Sequence, residues 1–354
     1  MSGKPVGTAL APPLCAILAT IVFAAPAVAQ NEQFIPALVY RTGAYSPNGV
    51  PLANGIADYY KLINARDGGI NGVKIVTEEC EFSYATDRGV ECYERLKHNG
   101  PTGAAYVNPL STGVTFALTD RTTADKIPVV SPGYGRSESR DGSVFQWNFP
   151  LLGTWGVMNS TAIKEAVAVG YPREKMYGVW WSGAEPDVRP AGDGAKGYNA
   201  VTLQHTSGRF KLHEDLKKYV YDKGQGSAQW ERTGEILYVR GLITSMLGVE
   251  AIRTAQAKFG NKPLTGEQVR WGYENLDISA DRIKQLGFEG VLRPIKVSCA
   301  DHEGAHTGRI QTWDGENWKI TSDWYVSDDS VIAPMVKEAA ARYATEKKIA
   351  TGCL

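Results

Sequence analysis

Residues 36–79, PALVYRTGAYSPNGVPLANGIADYYKLINARDGGINGVKIVTEE, decide the fold class. The apolar run PALVYRTG (36–43) reads as a strand. In ANGIADYYKLINAR (53–66), Ile56, Tyr59, Tyr60 and Ile63 fall at i, i+3, i+4 and i+7, which puts four side chains on one face of a helix. Gly68-Gly69 supplies the C-cap, and VKIVTEE (73–79) reads as a second strand. Strand, helix and strand at this spacing form a βαβ unit, whose crossover requires the strands to run parallel.

The alternation continues on both sides of that unit. Thr86 is placed to cap a helix through Lys97, GAAYVNP (103–109) is a third strand, Ser111 or Thr112 caps a helix through about Asp125, and IPVVSPG (127–133) is a fourth strand. After VFQWNFP (144–150) the pattern thins. A helix (157–169), the strand MYGVWW (176–181), the strand YNAVTLQH (198–205) and a helix (212–223) are all that precede residue 235. ILYVRGLITSMLGVEAIRTAQAKFG (236–260) is apolar nearly all round in its first half and is therefore expected to be a buried helix. RIQTWDGENWKIT (309–321) reads as a hairpin turning at Asp314-Gly315, and residues 331–348 as an amphipathic helix with Val331, Met335, Val336, Ala339 and Tyr343 on one face.

The 354 residues are 43% hydrophobic and 21% charged, a globular balance. Residues 1–29 stand apart: Lys4 is their only charge, LCAILATIVFAA (14–25) is an apolar block, and Ala27-Val28-Ala29 fits a cleavage site, so they read as a signal peptide. Pro12-Pro13-Leu14 before Cys15 argues against lipid attachment there. The remainder carries 37 basic and 38 acidic residues, a net charge of −1, which points away from nucleic acid and anionic membranes as partners. Four cysteines remain in an exported chain. Three disulfide connectivities are open to them; Cys80 to Cys92 is the local choice, leaving Cys299 to Cys353.

Within the chain, His302-Glu303-Gly304-Ala305-His306 spells H-E-x-x-H, the zinc-hydrolase pattern. That chemistry needs both histidines on one helical face, yet the motif lies in a short connection, contains Gly304 and runs straight into Thr307-Gly308. Zinc hydrolysis through His302, Glu303 and His306 is kept only as the rival reading, beside a sensor or degenerate binder. No G-x-S-x-G elbow or phosphate loop occurs, and Gly133-Tyr134-Gly135-Arg136 lacks a third glycine. Neither a metal nor another cofactor is expected.

The carboxyl ends of the strands share a chemistry: Thr42-Gly-Ala-Tyr45-Ser46, Leu110-Ser111-Thr112-Gly113 and Ser131-Pro132-Gly133-Tyr134 each offer hydroxyls and glycine-exposed backbone, as a site for a small polar or carboxylate-bearing molecule would. Ser, Thr and Gly in such turns also serve simply as helix caps. Together with Gly68-Gly-Ile-Asn-Gly72, the strand Ile127–Gly133 and the hairpin Trp313-Asp-Gly-Glu-Asn-Trp318, these turns resemble the periplasmic solute-binding proteins of ABC importers, of the branched-chain amino acid type.

The resemblance implies two parallel, doubly wound α/β lobes of type I architecture joined by three crossings, a disulfide like Cys80–Cys92, and a solute trapped as the lobes close. It implies ligand contacts from Tyr45, Ser111, Thr112, Ser131, Gly133 and Tyr134 in the first lobe, and from Trp155, Trp181, Ser182 and Glu185 in the second. The tryptophans suit an aromatic or flat solute. Expected partners are the solute and a membrane permease with its ATPase, and the expected place is the periplasm. The expected divisions are residues 30–150 for lobe one, 151–235 for a second lobe reduced by about two βα units, 236–330 for the return to lobe one with the hinge hairpin, and 331–354 for a closing helix and tail. A monomer is expected, or a dimer if a second chain covers the short lobe.

Overall fold

The structure, a computed structural model, describes residues 1–4, 7, 31–153, 160–205 and 207–353. The signal-peptide reading, including Cys15, and the candidate Trp155 lie outside the described residues, apart from positions 1–4 and 7.

The first sheet follows from the opening sequence pattern. Strand one is broken at Ile35-Pro36 into β1 (Glu32–Phe34) and β2 (Ala37–Val39). Helix α1 (Ser46–Asp67) follows. It begins seven residues before the expected Ala53: Pro47 stands in its first turn, where no intrahelical N–H bond is lost, and Pro51 lies inside the helix. Gly68 ends it in the left-handed conformation, φ 71°. Strands β3 (Lys74–Val76) and β4 (Glu79–Glu81) pair in parallel with β1 and β2. Helices α2 (Thr86–Leu96) and α3 (Thr112–Asp125) alternate with parallel bridges Ala37–Asn108 and Val107–Val129, and β5 (Val129–Val130) pairs with β6 (Asn148–Phe149). The resulting order, second-first-third-fourth-fifth, is doubly wound and wholly parallel.

The second sheet departs from that expectation. After α4 (Ser160–Ala168), only Tyr177–Gly178 (β7) of MYGVWW is strand; Trp180–Ser182 turn into a short 3₁₀ segment ahead of α5 (Glu185–Val188). A Cβ at Gly178 would sit 1.9 Å from Tyr198 Oη, so the chain bends where a side chain has no room. β8 (Asn199–Thr202) pairs in parallel with β7, and α6 (Leu212–Tyr219) follows. The long helix α7 (Ile236–Phe259) leads to α8 (Gly266–Glu274), β9 (Asp277–Ile278), α9 (Ala280–Gln285) and β10 (Ile295–Lys296), with β9 and β10 antiparallel. The hairpin β11 (Thr307–Trp313) and β12 (Trp318–Ile320), with β13 (Tyr325–Val326), completes the second sheet: β11 lies antiparallel to β8. The sheet is thus mixed, and the two strands of residues 150–235 are completed by strands from much later in the same chain.

The closing helix α10 (Asp329–Lys347) packs through Val336, Ala340 and Ala344, with Tyr343 stacked on Phe145 at 4.7 Å. Val331 and Met335, expected on that face, are exposed. Disulfides join Cys80 to Cys92, tying β4 to α2, and Cys299 to Cys353, tying the C-terminus to the loop before the hairpin.

Helix α7 occupies the centre. Every residue from Ile236 to Ile252 is buried, as its all-round apolar sequence requires. Glycines let its neighbours approach. A Cβ on Gly241 would lie 2.3 Å from Leu52 O of α1, and one on Gly55 2.1 Å from Tyr238 O of α7. The contacted atoms are backbone and cannot turn aside. Gly241→Ala is expected to lower stability by about 1–3 kcal/mol or more through overpacking, measured as a shift in the urea midpoint; an unchanged midpoint would show that the helices do not cross this closely.

Candidate functional site

The strand-end turns form one rim. Tyr84, at the end of β4 with φ 62°, stands at its centre: its ring lies 4.6 Å from Tyr45 and 4.9 Å from Tyr40. Tyr40 and Tyr134 share a hydrogen bond of 3.1 Å between hydroxyls, and the Tyr134 ring is 5.0 Å from Trp181. Trp181 is in turn 6.2 Å from Trp180. Tyr84 was not among the residues singled out in the sequence; Trp180 entered there only as one of the tryptophans, 155, 180 and 181, that suit a flat solute.

Across this rim the cleft is shut by the protein's own side chains. Gly133 has φ 79°, and a Cβ there would be 1.8 Å from Cζ3 of Trp180, so the indole lies directly on the Gly133 backbone. The space left between Tyr134, Pro132, Trp180, Trp181 and Arg240 is about 10 Å³, at the lower limit for one water.

Arg240 enters this space from the first turns of α7. It is 3% exposed; its guanidinium lies 4.0 Å over the Trp180 ring, Nη2 donates to Trp180 O, and Nε donates to Gln204 Oε1 at 3.3 Å. Burial pushes it down to about 9, which leaves it cationic at neutral pH. Sequence reading passed over it, although a lone arginine inside an apolar helix was a legible signal.

The other candidates have structural partners. Ser111 Oγ accepts from Val114 N at 3.4 Å as the N-cap of α3, where Thr112 is the first residue. Ser131 Oγ donates to Asn148 Oδ1 at 3.4 Å. Ser182 Oγ donates to Val179 O at 2.9 Å and accepts from Tyr198 Oη. Glu185 accepts from Ser207 Oγ at 2.8 Å and from Ile236 N at 3.0 Å, so it caps the buried start of α7. Tyr45 is half-exposed at the rim's outer edge.

Residues 32–151 match the family described as periplasmic binding protein. A crystal structure from the Pseudomonas fluorescens group, described as an ABC transporter permease, is 34% identical, superposes with a TM-score of 0.85, and is matched over 91% of this chain and 99% of its own. The chain belongs to the periplasmic binding protein family. A Thermus thermophilus branched-chain amino acid ABC transporter with bound valine shares the fold at 16% identity and TM-score 0.64, over 87% of this chain and 99% of its own. So does a solute-binding protein from R. palustris in complex with benzoate, at 12% and 0.56, over 84% and 98%. No protein of curated function matches the sequence.

In this periplasmic binding protein the H-E-x-x-H stretch is not helical, and its histidines serve different neighbourhoods. His302 is fully buried, stacked 4.1 Å from Phe149, with Nδ1 2.8 Å from Asn148 O and Nε2 3.3 Å from Glu274. His306 Nε2 lies 2.7 Å from Asp301, with Glu303 at 3.6 Å from Nδ1. Asp301, Glu303 and His306 come within 4.8 Å of one another, but Arg140 already lies among them, 3.3 Å from Asp301 and 4.0 Å from Glu303, and pairs with Asp329 as well. The cluster borders a void of about 400 Å³ walled by Leu203, Ile310 and Val336. Its charges are paired in direct contact, whereas Arg240 has no carboxylate within 4.0 Å.

Glu303 is pushed up to about 7, chiefly by burial, and His306 is raised by its hydrogen bond to Asp301; Asp301 is held low despite burial, by His306 and Arg140. The raised groups favour the folded state while protonated. The contribution of Glu303 is complete below pH 4.5 and is lost as pH rises to about 7, and that of His306 is lost from 6.5 upwards. Wild-type stability is therefore expected to fall between pH 4.5 and 7 by up to about 3 kcal/mol more than that of Glu303→Gln. Urea titrations across that range measure it, and parallel curves would remove Glu303 as the source.

Proposed function

We infer that this protein is the exported solute receptor of an ABC importer, capturing a small organic molecule for a membrane permease and its ATPase without transforming it. The observation that carries the reading is the 34% identical relative matched over nearly its whole length, in a family whose members hold solutes at the rim where this chain gathers Tyr45, Tyr84, Ser111, Gly133, Tyr134 and Trp181. Among the described residues no helix is long and apolar enough to cross a membrane. The reading places residues 1–29 as the export signal, residues 30–150 in lobe one, and the periplasm as the site of action.

The solute is an amino acid, an amide or an aromatic acid. Neighbouring structures span that range, from valine in the Thermus protein to benzoate in the R. palustris protein. Among the three indoles and phenols that line the closed space, Tyr134, Trp180 and Trp181, the two indoles favour a flat guest. We read the small second lobe as a compact working version of the branched-chain type, because β11 and β12 supply strands that its own segment lacks. Loading requires Trp180 to leave Gly133.

A ligand that binds only the folded protein raises its melting temperature by mass action, about 2.7 kcal/mol at one hundred times Kd. Thermal unfolding against a panel of amino acids, amides and aromatic acids is expected to single out one chemical class. Absence of any shift across the panel, with no small molecule released on denaturing the purified protein, would sink the receptor reading.

A further inference from the structure

Three arginines are buried among the described residues: Arg140, Arg240 and Arg270. Two have carboxylate partners. Arg140 forms a two-pronged pair with Asp329, at 3.1 and 2.9 Å, and Arg270 pairs with Glu274 one turn along its helix. Arg240 has none within 4.0 Å; it reaches only a carbonyl and an amide oxygen, and Nη1 has no hydrogen-bond partner at all. Asp187 and Glu185 act on it from beyond that distance, with oxygens committed elsewhere: Asp187 accepts from the Ala184 amide at 3.3 Å, and Glu185 from Ser207 Oγ and Ile236 N. A cation out of contact with water and without a carboxylate bonded to it directly is held less well than one paired in contact, and Nη1 is left free to take one.

What surrounds it narrows the missing partner. The guanidinium lines the closed space of the cleft and lies flat over Trp180, whose Nε1 is a second buried donor with no acceptor. Trp180 itself covers Gly133, where backbone and ring meet without an intervening side chain. A flat guest taking that place would keep a π-surface against Gly133 and Tyr134, while its acid group met Nη1 of Arg240.

Resting on the receptor reading above, we propose that the solute is a planar aromatic carboxylate, and that Arg240 of α7, together with the strand-end backbone, is the counter-charge that selects it. The neutral amide of the same shape leaves the arginine unpaired and binds weakly. Hydrogen bonds to a charged group account for roughly 10- to 100-fold in affinity.

Calorimetric titration of the full-length mature protein with benzoate and phenylacetate, each beside benzamide and phenylacetamide, tests this on wild type alone. Acids binding at least about tenfold more tightly than their amides are expected. Arg240→Gln should erase the preference, and Arg240→Lys should restore part of it. Equal binding of acid and amide, or binding only of neutral or cationic solutes from the wider panel, would overturn the role of Arg240 and leave the receptor reading standing. Failure of every solute to bind would overturn both. The wild-type pairs decide the matter even where Arg240→Gln does not fold.

Discussion

A helix with no face towards water must be wrapped by protein on every side, and α7 imposes that requirement on the rest of the molecule. Its first seventeen residues are buried without a break. Helix α1 from the first lobe meets it at the Gly55–Gly241 crossing, α8 meets it where a Cβ on Gly272 would lie 2.1 Å from Ala251 O, and Tyr106 of the third strand presses its hydroxyl against Gly248. At these places the close fit depends on a missing side chain.

The same helix fixes the second lobe through polar contacts at its start. Glu185 accepts from the Ile236 amide, placing a carboxylate at a buried helix N-terminus, where unpaired amides and the helix dipole favour it. Burial raises the Glu185 pKa in opposition. One turn later Arg240 binds the Trp180 carbonyl. The segment 180–185, which faces the strand-end rim, is thus pinned at both ends to a helix continuous with the first lobe's core. Movement of Trp180 away from Gly133 therefore draws on contacts made by α7.

The first sheet was legible because its signals are local. The βαβ spacing, the Gly68 C-cap, the Ser111 cap and the 236–260 burial pattern each depend on residues a few positions apart. The second sheet was not. β11 reaches β8 across roughly a hundred residues, and no periodicity announces an antiparallel partner at that distance. MYGVWW looked like a strand since Trp and Val favour pleated surfaces, but Gly178 packs against Tyr198 and the tryptophans turn into the cleft. The last helix was misphased for a related reason: Val331 and Met335 fit the apolar stripe, yet the surface that α10 meets, Val144 and Phe145, lies beside its later turns.

At the site, the hydroxyls that the sequence offered are mostly committed to helix ends and loops, and the group with an unmet requirement is a charge that periodicity filed as core. This difference bears on how a guest would be recognised. Trp180 already buries the Gly133 surface, so a ring replacing it exchanges one apolar contact for another of similar area, and the exchange is close to neutral in hydrophobic terms. Discrimination has to come from groups that the closed cleft leaves without a protein partner. Arg240 Nη1 and Trp180 Nε1 are two donors in that position, with no acceptor between them. A cleft whose shape is complete and whose hydrogen bonding is not will rank guests by charge before it ranks them by size.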